Sequence, residues 1–369
     1  MKAFSISNMF VIALVILLNG CGGDNNDNVR SPLKHRSVEP YENNPLFYEQ
    51  WYFSKNDVFY KLYDIDSDAN IHPWPTTKYA GRGVKVVIID DALDAYHEDL
   101  KSGVVATYDT ESMSINVSPK SVDESHGTAV TGLALASSNG IGISGVAPGA
   151  QIYFIRIPFN KNFRLSMLVD AFEKAKEWGA DVVNCSWGSG NVDDAVKSAI
   201  VDLAINGRNG KGTIIVFASG NENISMGNDE SSIHEVLAVG ATNRYNKRTS
   251  YSNFGPELDI MAPGGEFLGL ASTDLTGNAG YSPGNYIEYY SFSAFGGTSA
   301  SAPIVTGVVA QMLEADYNLT RVDVMEILRD SADKIDTNQC AYDSNGHSNM
   351  CGYGKVNVTN AINKIISGR

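Results

Sequence analysis

The sequence predicts a three-layer α/β/α fold with a mostly parallel central sheet. Apolar runs typical of buried strands alternate with stretches of helical periodicity, which favours a sheet with helices on both faces. Glycine accounts for 35 of 369 residues and suits tight strand–helix turns, and the 43% hydrophobic content is enough for a large core. Several strands end in polar residues, so we expect a site at the carboxyl edge of the sheet.

The predicted elements follow one another in a regular order. Strands are predicted at residues 83–91, 151–157, 181–186, 212–218 and 236–239, and helices at 166–178, 194–206 and 302–318. A further helical segment of small residues begins at His126. Residues 272–295 are rich in Gly, Ser, Asn and Tyr, and we expect loops or short strands there, near the site.

Net charge restricts the class of partner. The chain carries a formal charge of −14, which makes nucleic acid an unsuitable partner. The same charge is compatible with a cationic substrate, although simple solubility is the interpretation we favour.

Residues 1–20 are predicted to be a targeting segment. Residues 9–18 form an uncharged run that is too short to span a bilayer, and Leu-Asn-Gly-Cys at 18–21 resembles a bacterial lipobox. That resemblance implies cleavage before Cys21, lipidation of Cys21 and attachment to the cell envelope. In the enterobacterial pattern an aspartate directly after the lipidated cysteine retains a lipoprotein in the inner membrane. Gly22 at this position instead favours attachment to the outer membrane of a Gram-negative bacterium. An ordinary secretory signal, giving a secreted protein, is the alternative. Residues 21–44 are expected to form a flexible tether.

The remaining cysteines are expected to differ in state. Cys340 and Cys351 flank a short loop-like stretch and are predicted to form a disulfide. Cys185 lies inside an apolar strand and is expected to be a buried thiol.

Three side chains supply the groups that acyl transfer needs. Asp90 ends a predicted strand, His126 opens a helix, and Ser299 lies at a glycine-rich turn before a long apolar helix. Together they offer a carboxylate, an imidazole base and a hydroxyl nucleophile. Asn221, which follows another strand, could donate its amide to an oxyanion. Taken alone, Ser299 is also compatible with a serine cap on a core helix.

Four motifs make the chain resemble a subtilisin-like serine protease, or subtilase. They are Ile89-Asp90-Asp91, His126-Gly127-Thr128, Ala218-Ser219-Gly220-Asn221 and the stretch at 297–303, Gly-Thr-Ser-Ala-Ser-Ala-Pro. The resemblance implies the subtilisin-like form of the fold, a catalytic domain at 45–369, and endopeptidase activity on polypeptides by a monomer. It assigns the triad to Asp90, His126 and Ser299 and the oxyanion donor to Asn221. The alternatives are an idle scaffold that binds peptides, and a peptide ligase or macrocyclase.

Within that family the closest resemblance is to the kexin/furin branch. Asn-Pro-Leu-Phe at 44–47 and the paired acids Asp90-Asp91 carry it, and they imply a basic preference at P1 and P2 with Asp91 binding a basic side chain. The resemblance also places Ser186, Trp187 and Gly188 along the substrate main chain, where a plain core strand is the alternative.

Three further acids are candidate specificity residues of the same branch. Asp193 and Asp194 are either pocket acids or acids at a helix N-terminus, and we favour the helix. Asp229 lies near the position of another pocket acid, although the spacing differs from that of the branch.

The resemblance further implies a structural calcium ion. Asp99, Ser137, Asn139, Ile141 and Ile143 fall at the positions of the family's calcium ligands, and Asn44 or a neighbour of it is the candidate for a further one. A glycine-rich turn without metal is the alternative. The family's long pro-region has no counterpart in the sequence, so we expect the chain to fold unaided or with a separate chaperone.

Overall fold

A computed structural model describes residues 36–75, 78–289 and 294–368. Within them seven strands form one sheet: β1 Lys85–Asp90, β2 Val104–Asp109, β3 Gln151–Arg156, β4 Val182–Cys185, β5 Ile214–Ala218, β6 Leu237–Thr242 and β7 Ile260–Pro263. Their order is β2-β3-β1-β4-β5-β6-β7, and every neighbouring pair is parallel. The predicted parallel sheet is confirmed.

Strand β1 shows why the sheet is covered on both faces. Val86 and Ile88 pack into one hydrophobic cluster, whereas Val87 and Ile89 pack into the other. Successive side chains of a strand point to opposite faces, so a strand buried on both sides must be apolar throughout. Each such side chain contributes about 1.5–3 kcal/mol on burial.

Helices form the two outer layers. The helices of the described residues are α1 Asp57–Leu62, α2 His126–Leu135, α3 Leu165–Glu177, α4 Asp194–Asn206, α5 Thr298–Ala315, α6 Arg321–Ser331, α7 Thr337–Cys340 and α8 Val358–Ser367, and six of them form these layers. Helices α2, α5, α6 and α8 bury their apolar side chains in the cluster on one face of the sheet. Helices α3 and α4 bury theirs on the opposite face, which completes the predicted three layers.

The segments that carry the predicted site residues lie at the carboxyl edge of the sheet. The chain order reverses beside β1, which pairs with β3 on one side and with β4 on the other. The register aligns Asp90 with Arg156 and Ile89 with Cys185. The segments that follow Cys185 and Ala218 therefore leave the sheet at the same edge as Asp90, as expected where strand order reverses.

Several boundaries differ from those that the sequence predicts. The long helix predicted at 302–318 begins at Thr298 and ends at Ala315. The earlier start follows from Gly297, whose φ of 90° sets the turn immediately before the helix. In the region predicted as loops or short strands, β8 Ser272–Thr273 pairs antiparallel with β9 Tyr286–Ile287.

The predicted tether extends too far along the chain. Residues 36–44 pack against the folded body, where Tyr41 is 2% exposed and its ring lies 5.1 Å from that of Phe53. The guanidinium of Arg36 donates to the carbonyl of Ala150 at 2.9 Å. The buried Tyr41 ring and the hydrogen bond of Arg36 thus place the start of the folded body by residue 36 rather than 45. The predicted signal at 1–20 and Cys21 lie outside the described residues.

The cysteine predictions can be compared directly with the structure. Cys340 and Cys351 are joined by a disulfide, and Cys185 is a buried free thiol in β4, both as predicted. The disulfide closes the loop between helix α7 and the segment that follows it. In the part of the chain that the structure describes, the helices are all too short or too polar to cross a membrane.

Candidate active site

Asp90 and His126 form the best-defined pair of the site. Asp90 is the last residue of β1 and is 1% exposed. His126 is the first residue of α2, and its Nδ1 lies 2.8 Å from Oδ1 of Asp90. Gly127 allows this approach, because a Cβ there would lie 2.4 Å from the carbonyl oxygen of Ala92 and 3.0 Å from Cβ of Asp90. The carboxylate fixes the imidazole so that Nε2 is left for chemistry.

The charge state of His126 depends on its acidic neighbours. Burial alone lowers the pKa of His126, but Asp90 and, to a smaller extent, Asp91 more than offset this and raise the pKa to about 9. A histidine that acts as general base must be neutral. We therefore expect the site to gain activity as the pH rises through the alkaline range.

Asp91 has contacts that differ from its predicted substrate-binding role. It is 9% exposed, and its carboxylate accepts hydrogen bonds from the backbone N–H groups of Ala92 (2.6 Å), His126 (3.2 Å) and Gly127 (2.7 Å). It thereby caps the start of α2, a role that the side chain of Ser125 does not take. Burial and the charge of Asp90 raise the pKa of Asp91 well above its ordinary value. Its carboxylate is therefore committed to holding His126.

Ser299 is held reciprocally by Ser186. The hydroxyl of Ser299 donates to the carbonyl of Ser186, and the hydroxyl of Ser186 donates to the carbonyl of Ser299, each at 3.0 Å. Pro303 explains the second bond, because it lacks the N–H that would otherwise bond to the Ser299 carbonyl one helical turn earlier. Transfer of the Ser299 proton to His126 requires rotation of its hydroxyl away from Ser186.

The amide of Asn221 is oriented by the start of helix α5. Its Oδ1 accepts from the backbone N–H of Thr298 at 2.8 Å and from the Thr298 hydroxyl at 3.0 Å. Because the oxygen is engaged, Nδ2 is the end that can donate to a substrate atom. A Cβ at Gly297 would lie 3.2 Å from this side chain, so glycine keeps the approach open.

A cleft of about 490 Å³ opens beside Ser299. Ser186, Trp187 and Gly188, the predicted substrate-binding residues, line the cleft, and so do Asn221, Glu222 and Asp229. Trp187 is fixed from below, since its Nε1 donates to the carbonyl of Ile89 at 2.8 Å and its ring lies 5.4 Å from that of Phe217. The cleft therefore has a rigid aromatic wall and two carboxylates.

The candidate specificity acids separate into two groups. Asp229 lines the cleft, whereas Asp193 caps helix α4 by accepting from the backbone N–H of Ala195 at 2.9 Å. Asp193 and Asp194 line a neighbouring depression that Asp229 also borders. Because Asp193 is the N-cap of α4 and Asp194 lies in its first turn, the helix interpretation is the one that fits the structure. Sequence reasoning missed Glu222, although an acid directly after Asn221 was a visible signal.

The predicted calcium loop contains a buried carboxylate oxygen without a well-placed donor. Asp99 is fully buried, and its Oδ2 accepts from the backbone N–H of Ile143 at 3.1 Å. Its Oδ1 makes no hydrogen bond of good geometry among the described residues, although the side chains of Asn139 and Tyr286 lie close enough to the carboxylate to offset part of the effect of burial on its pKa. Burial raises the pKa of Asp99 to about 6. An anionic oxygen in this position fits a hard cation such as calcium.

The other predicted ligands lie in the loop at residues 137–143, which contacts Asp99 through Ser137 and Ile143. The hydroxyl of Ser137 donates to the carbonyl of Asp99 at 2.8 Å, and the side chain of Asn139 accepts from the backbone N–H of Ile141 at 3.0 Å. Asn44 differs from its candidate ligand role, because its Oδ1 accepts from the backbone N–H groups of Asn139 (3.2 Å) and Gly140 (2.9 Å). Asn44 thus supports the loop.

These features bring a carboxylate–imidazole pair, a serine hydroxyl and an oriented amide to the carboxyl edge of a parallel sheet. A family model described as the subtilase family matches residues 81–354, and the chain belongs to that family. Ile89-Asp90-Asp91, the histidine at the start of α2 and the serine at the start of α5 lie within the matched range.

Named relatives extend the match. The chain is 34% identical over 356 residues to a calcium-dependent protease of Trichormus variabilis, covering 88% of this chain and 52% of the relative. It is 30% identical over 329 residues to a thermophilic serine proteinase of a Bacillus species, covering 88% and 73%. The chain thus spans about half the length of the first of these.

A solved structure of similar fold is the Aeromonas sobria serine protease in complex with its chaperone. It has a TM-score of 0.76 and 22% identity, and the match covers 90% of this chain and 68% of that one. At this identity the likeness concerns the fold, and it agrees with the three-layer architecture described above.

Proposed function

We propose that this chain is a serine endopeptidase with Asp90, His126 and Ser299 as its triad. The contact that carries the proposal is the 2.8 Å bond between Nδ1 of His126 and the buried carboxylate of Asp90. His126 takes the proton from the Ser299 hydroxyl as that oxygen attacks the peptide carbonyl, and later gives it to the leaving amine. Water then attacks the acyl-enzyme while His126 takes its proton. His126 returns that proton to the Ser299 oxygen as the acid product leaves.

Asn221 and the start of helix α5 supply the oxyanion site in this proposal. The amide nitrogen of Asn221 is the free donor because Thr298 occupies its oxygen. Ser299 lies in the first turn of α5, where backbone N–H groups lack intrahelical partners and the dipole favours negative charge. Both donors act on charge that appears only in the tetrahedral intermediate.

The test combines covalent labelling with product analysis. A serine-directed fluorophosphonate should label the wild-type protein at Ser299, and a mixed peptide library should be cleaved. Ser299→Ala should lose both, whereas Ser198→Ala, on the exposed face of α4, should keep both. Labelling without cleavage would point to an idle scaffold, and joined peptides in place of hydrolysed ones would point to a ligase.

We further propose a preference for basic side chains at P1. Glu222 and Asp229 both line the cleft beside Ser299, and their charges would face a cationic side chain there. One charged contact of this kind corresponds to about a tenfold preference. Matched peptides with Arg or Leu at P1 measure it, and Glu222→Gln and Asp229→Asn should each reduce the Arg preference. Asp194→Asn, outside the cleft, is the matched control, and equal cleavage of both peptides by the wild type would reject the preference.

Calcium is proposed as a structural ion. The oxygen of buried Asp99 that lacks a well-placed donor supports this, and a relative is named a calcium-dependent protease. Asp99, the side chain of Asn139 and main-chain oxygens of Ser137, Ile141 and Ile143 would hold the ion, which would neutralise the buried carboxylate. Chelation should lower the Tm by several degrees, and added calcium should restore it. Asp99→Asn should abolish this response while Asp57→Asn, at the surface, keeps it.

Two proposals concern maturation. We propose that Cys21 is lipidated and anchors the protein in the cell envelope, in which case Cys21→Ala should move the protein to the soluble fraction. The Aeromonas protease of similar fold forms a complex with a chaperone, and we propose that this chain either folds unaided or uses a separate chaperone. Recovery of activity after dilution from denaturant, with the chain alone, distinguishes the two.

A further inference from the structure

The loop that carries Asn221 is bound along its length by a second segment. Residues 220–225, here called the oxyanion loop, lie beside residues 251–254. Asn223 donates its backbone N–H to Tyr251 (2.8 Å), Asn253 donates to Gly220 (3.0 Å), and Phe254 donates to Ile224 (3.1 Å), each to a backbone carbonyl. Residues 221–225 are all exposed, so hydrogen bonds rather than core packing fix this loop.

The side chain of Asn253 is devoted to the same loop. It is 5% exposed, and its Oδ1 accepts from the backbone N–H groups of Glu222 and Ile224, both at 3.1 Å. Its Nδ2 donates to Oε2 of Glu222 at 2.8 Å. That same carboxylate oxygen accepts from the backbone N–H of Asn221 at 2.9 Å. Asn253 therefore reaches the main chain of Asn221 through one shared carboxylate.

Gly220, directly before Asn221, shows how closely the Asn253 amide approaches the main chain of the loop. Gly220 has a φ of 101°, and a Cβ there would lie 2.2 Å from Nδ2 of Asn253. Only glycine fits a backbone in this conformation with another side chain so near. The Asn253 amide thus lies directly against the turn from β5 into the oxyanion loop.

We propose that Asn253 is a positioning residue that sets the Asn221 amide at the oxyanion position. The inference rests on the proposed serine peptidase function, but it concerns a residue that touches no reacting atom. Asn253 acts through the loop, because its hydrogen bonds fix both the backbone of Asn221 and the neighbouring Glu222 carboxylate. A shift of about 1 Å in a group that acts on the transition state can cost on the order of 100-fold in rate.

Asn253→Asp is the diagnostic substitution. The new carboxylate keeps the acceptor oxygen for the two backbone donors but places a second oxygen against Oε2 of Glu222. At low pH a proton shared by the two carboxylates can bridge them, whereas at high pH both ionise and repel. The ratio of variant to wild-type kcat should therefore fall about tenfold or more as the pH rises, with KM nearly unchanged, on a substrate with an apolar P1 residue.

Other charged groups lie near this segment as well. The Arg248 guanidinium donates to the carbonyl of Ser252 and to Oδ1 of Asn223, and Asp229 lines the same cleft. These groups are the same in the wild type and in Asn253→Asp. They can therefore shift the pH at which the kcat ratio falls, but they do not remove the fall.

Rescue by the partner distinguishes positioning from general damage. Asn253→Asp combined with Glu222→Gln removes the repulsion, because the introduced amide nitrogen can donate to the new carboxylate. One oxygen of Glu222 makes both contacts in the wild type, so the glutamine must turn for its own oxygen to accept from the N–H of Asn221. The double variant should recover most of the lost kcat and lose the pH dependence of the ratio. Asn243→Asp is the matched control: Asn243 donates to Glu266 at 2.9 Å and accepts from the N–H groups of Tyr245 and Lys247, but holds a different loop.

Each outcome has a distinct meaning. Fluorophosphonate labelling counts competent sites, so kcat is compared per labelled site, and Asn253→Ser gives a pH-independent loss if Asn253→Asp does not fold. An Asn253→Asp ratio that stays flat with pH, or a double variant no better than the single one, overturns the positioning role. A wild-type protein without serine-dependent cleavage instead overturns the proposed function and leaves this arrangement a purely structural one.

Discussion

The two halves of the candidate site are held in place by different forces. Asp90 ends a strand that is buried on both faces, and His126 begins a helix whose remaining residues are all buried. Asn221 lies in an exposed loop, and its neighbours from Glu222 to Ser225 are exposed as well. Packing, together with the Asp91 cap on α2, therefore fixes the acid–base half, whereas the oxyanion half depends on a network of hydrogen bonds at the surface.

The difference matters because the two halves act on different quantities. The acid–base half sets a protonation state, which depends on burial and on the charges of Asp90 and Asp91. The oxyanion half sets the position of a neutral donor relative to Ser299. Substitutions in the first half should change the pH profile as well as the rate, whereas removing the neutral donor of the second half should lower kcat without moving the pH profile.

The largest expected effect belongs to His126. Without its imidazole no base accepts the Ser299 proton, so His126→Ala should reduce kcat/KM by on the order of 10⁴-fold or more, the magnitude found in other serine proteases. Peptide hydrolysis followed by mass spectrometry measures it. His234→Ala is the control, since that side chain is 93% exposed. Loss of less than tenfold would mean that His126 is not the base.

Asn221→Ala should have the next largest effect. The substitution removes a donor that acts on the tetrahedral intermediate, and kcat should fall about 10²–10³-fold with little change in KM, the range seen when this donor is removed from related proteases. The pH dependence should stay that of the wild type, unlike that of variants in the acid–base half. Asn206→Ala, on the exposed end of α4, is the control. A rise in KM with unchanged kcat would assign Asn221 to substrate binding instead.

The contrast between packing and hydrogen bonding also explains what the sequence could predict. Strands β1, β3, β4 and β5 are apolar runs followed by polar residues, and helix α4 has the predicted bounds Asp194–Asn206. These elements are buried, and burial selects apolar residues in a pattern that the sequence shows directly. The positions of Asp90, His126 and Ser299 were predictable because each follows from the end or start of such an element.

Loop-held contacts were not predictable in the same way. The contact between Asn253 and Glu222 joins residues 31 positions apart in sequence, and neither has a pattern that marks its partner. The capping role of Asp91 likewise depends on how β1 meets α2 in space. Strand β2 was missed because four of its six residues are only partly buried and one is exposed, so it lacks a continuous apolar run. Tyr41 and Arg36 were placed in a tether because their burial depends on residues far along the chain.

Asp91→Asn should move the pH profile with a smaller effect on the maximal rate. The negative charge of Asp91 helps to raise the pKa of His126, so its removal should lower that pKa. Because His126 acts only when neutral, the pH of half-maximal kcat/KM should move to lower values, by on the order of half a pH unit. Asp94→Asn is the control, since Asp94 accepts from Thr276 rather than from α2. A midpoint that stays in place, or moves to higher pH, would contradict the electrostatic role.

Ser186→Ala should have the smallest effect and should test the link between the two halves. The substitution leaves the Ser299 carbonyl, already without a helical partner because of Pro303, without its donor as well. It also removes the acceptor of the buried Asn184 amide, which donates to the Ser186 hydroxyl at 3.0 Å. The expected cost is about 1–2 kcal/mol in the free energy of unfolding, with a Tm lower by roughly 2–6 °C, measured by calorimetry. In Ser198→Ala the lost hydroxyl also bonds a helix carbonyl, that of Asp194, but at an exposed site, so little change is expected. If both variants unfold at the wild-type temperature, water satisfies the Ser299 carbonyl, and Ser186 contributes to this site through its own carbonyl alone.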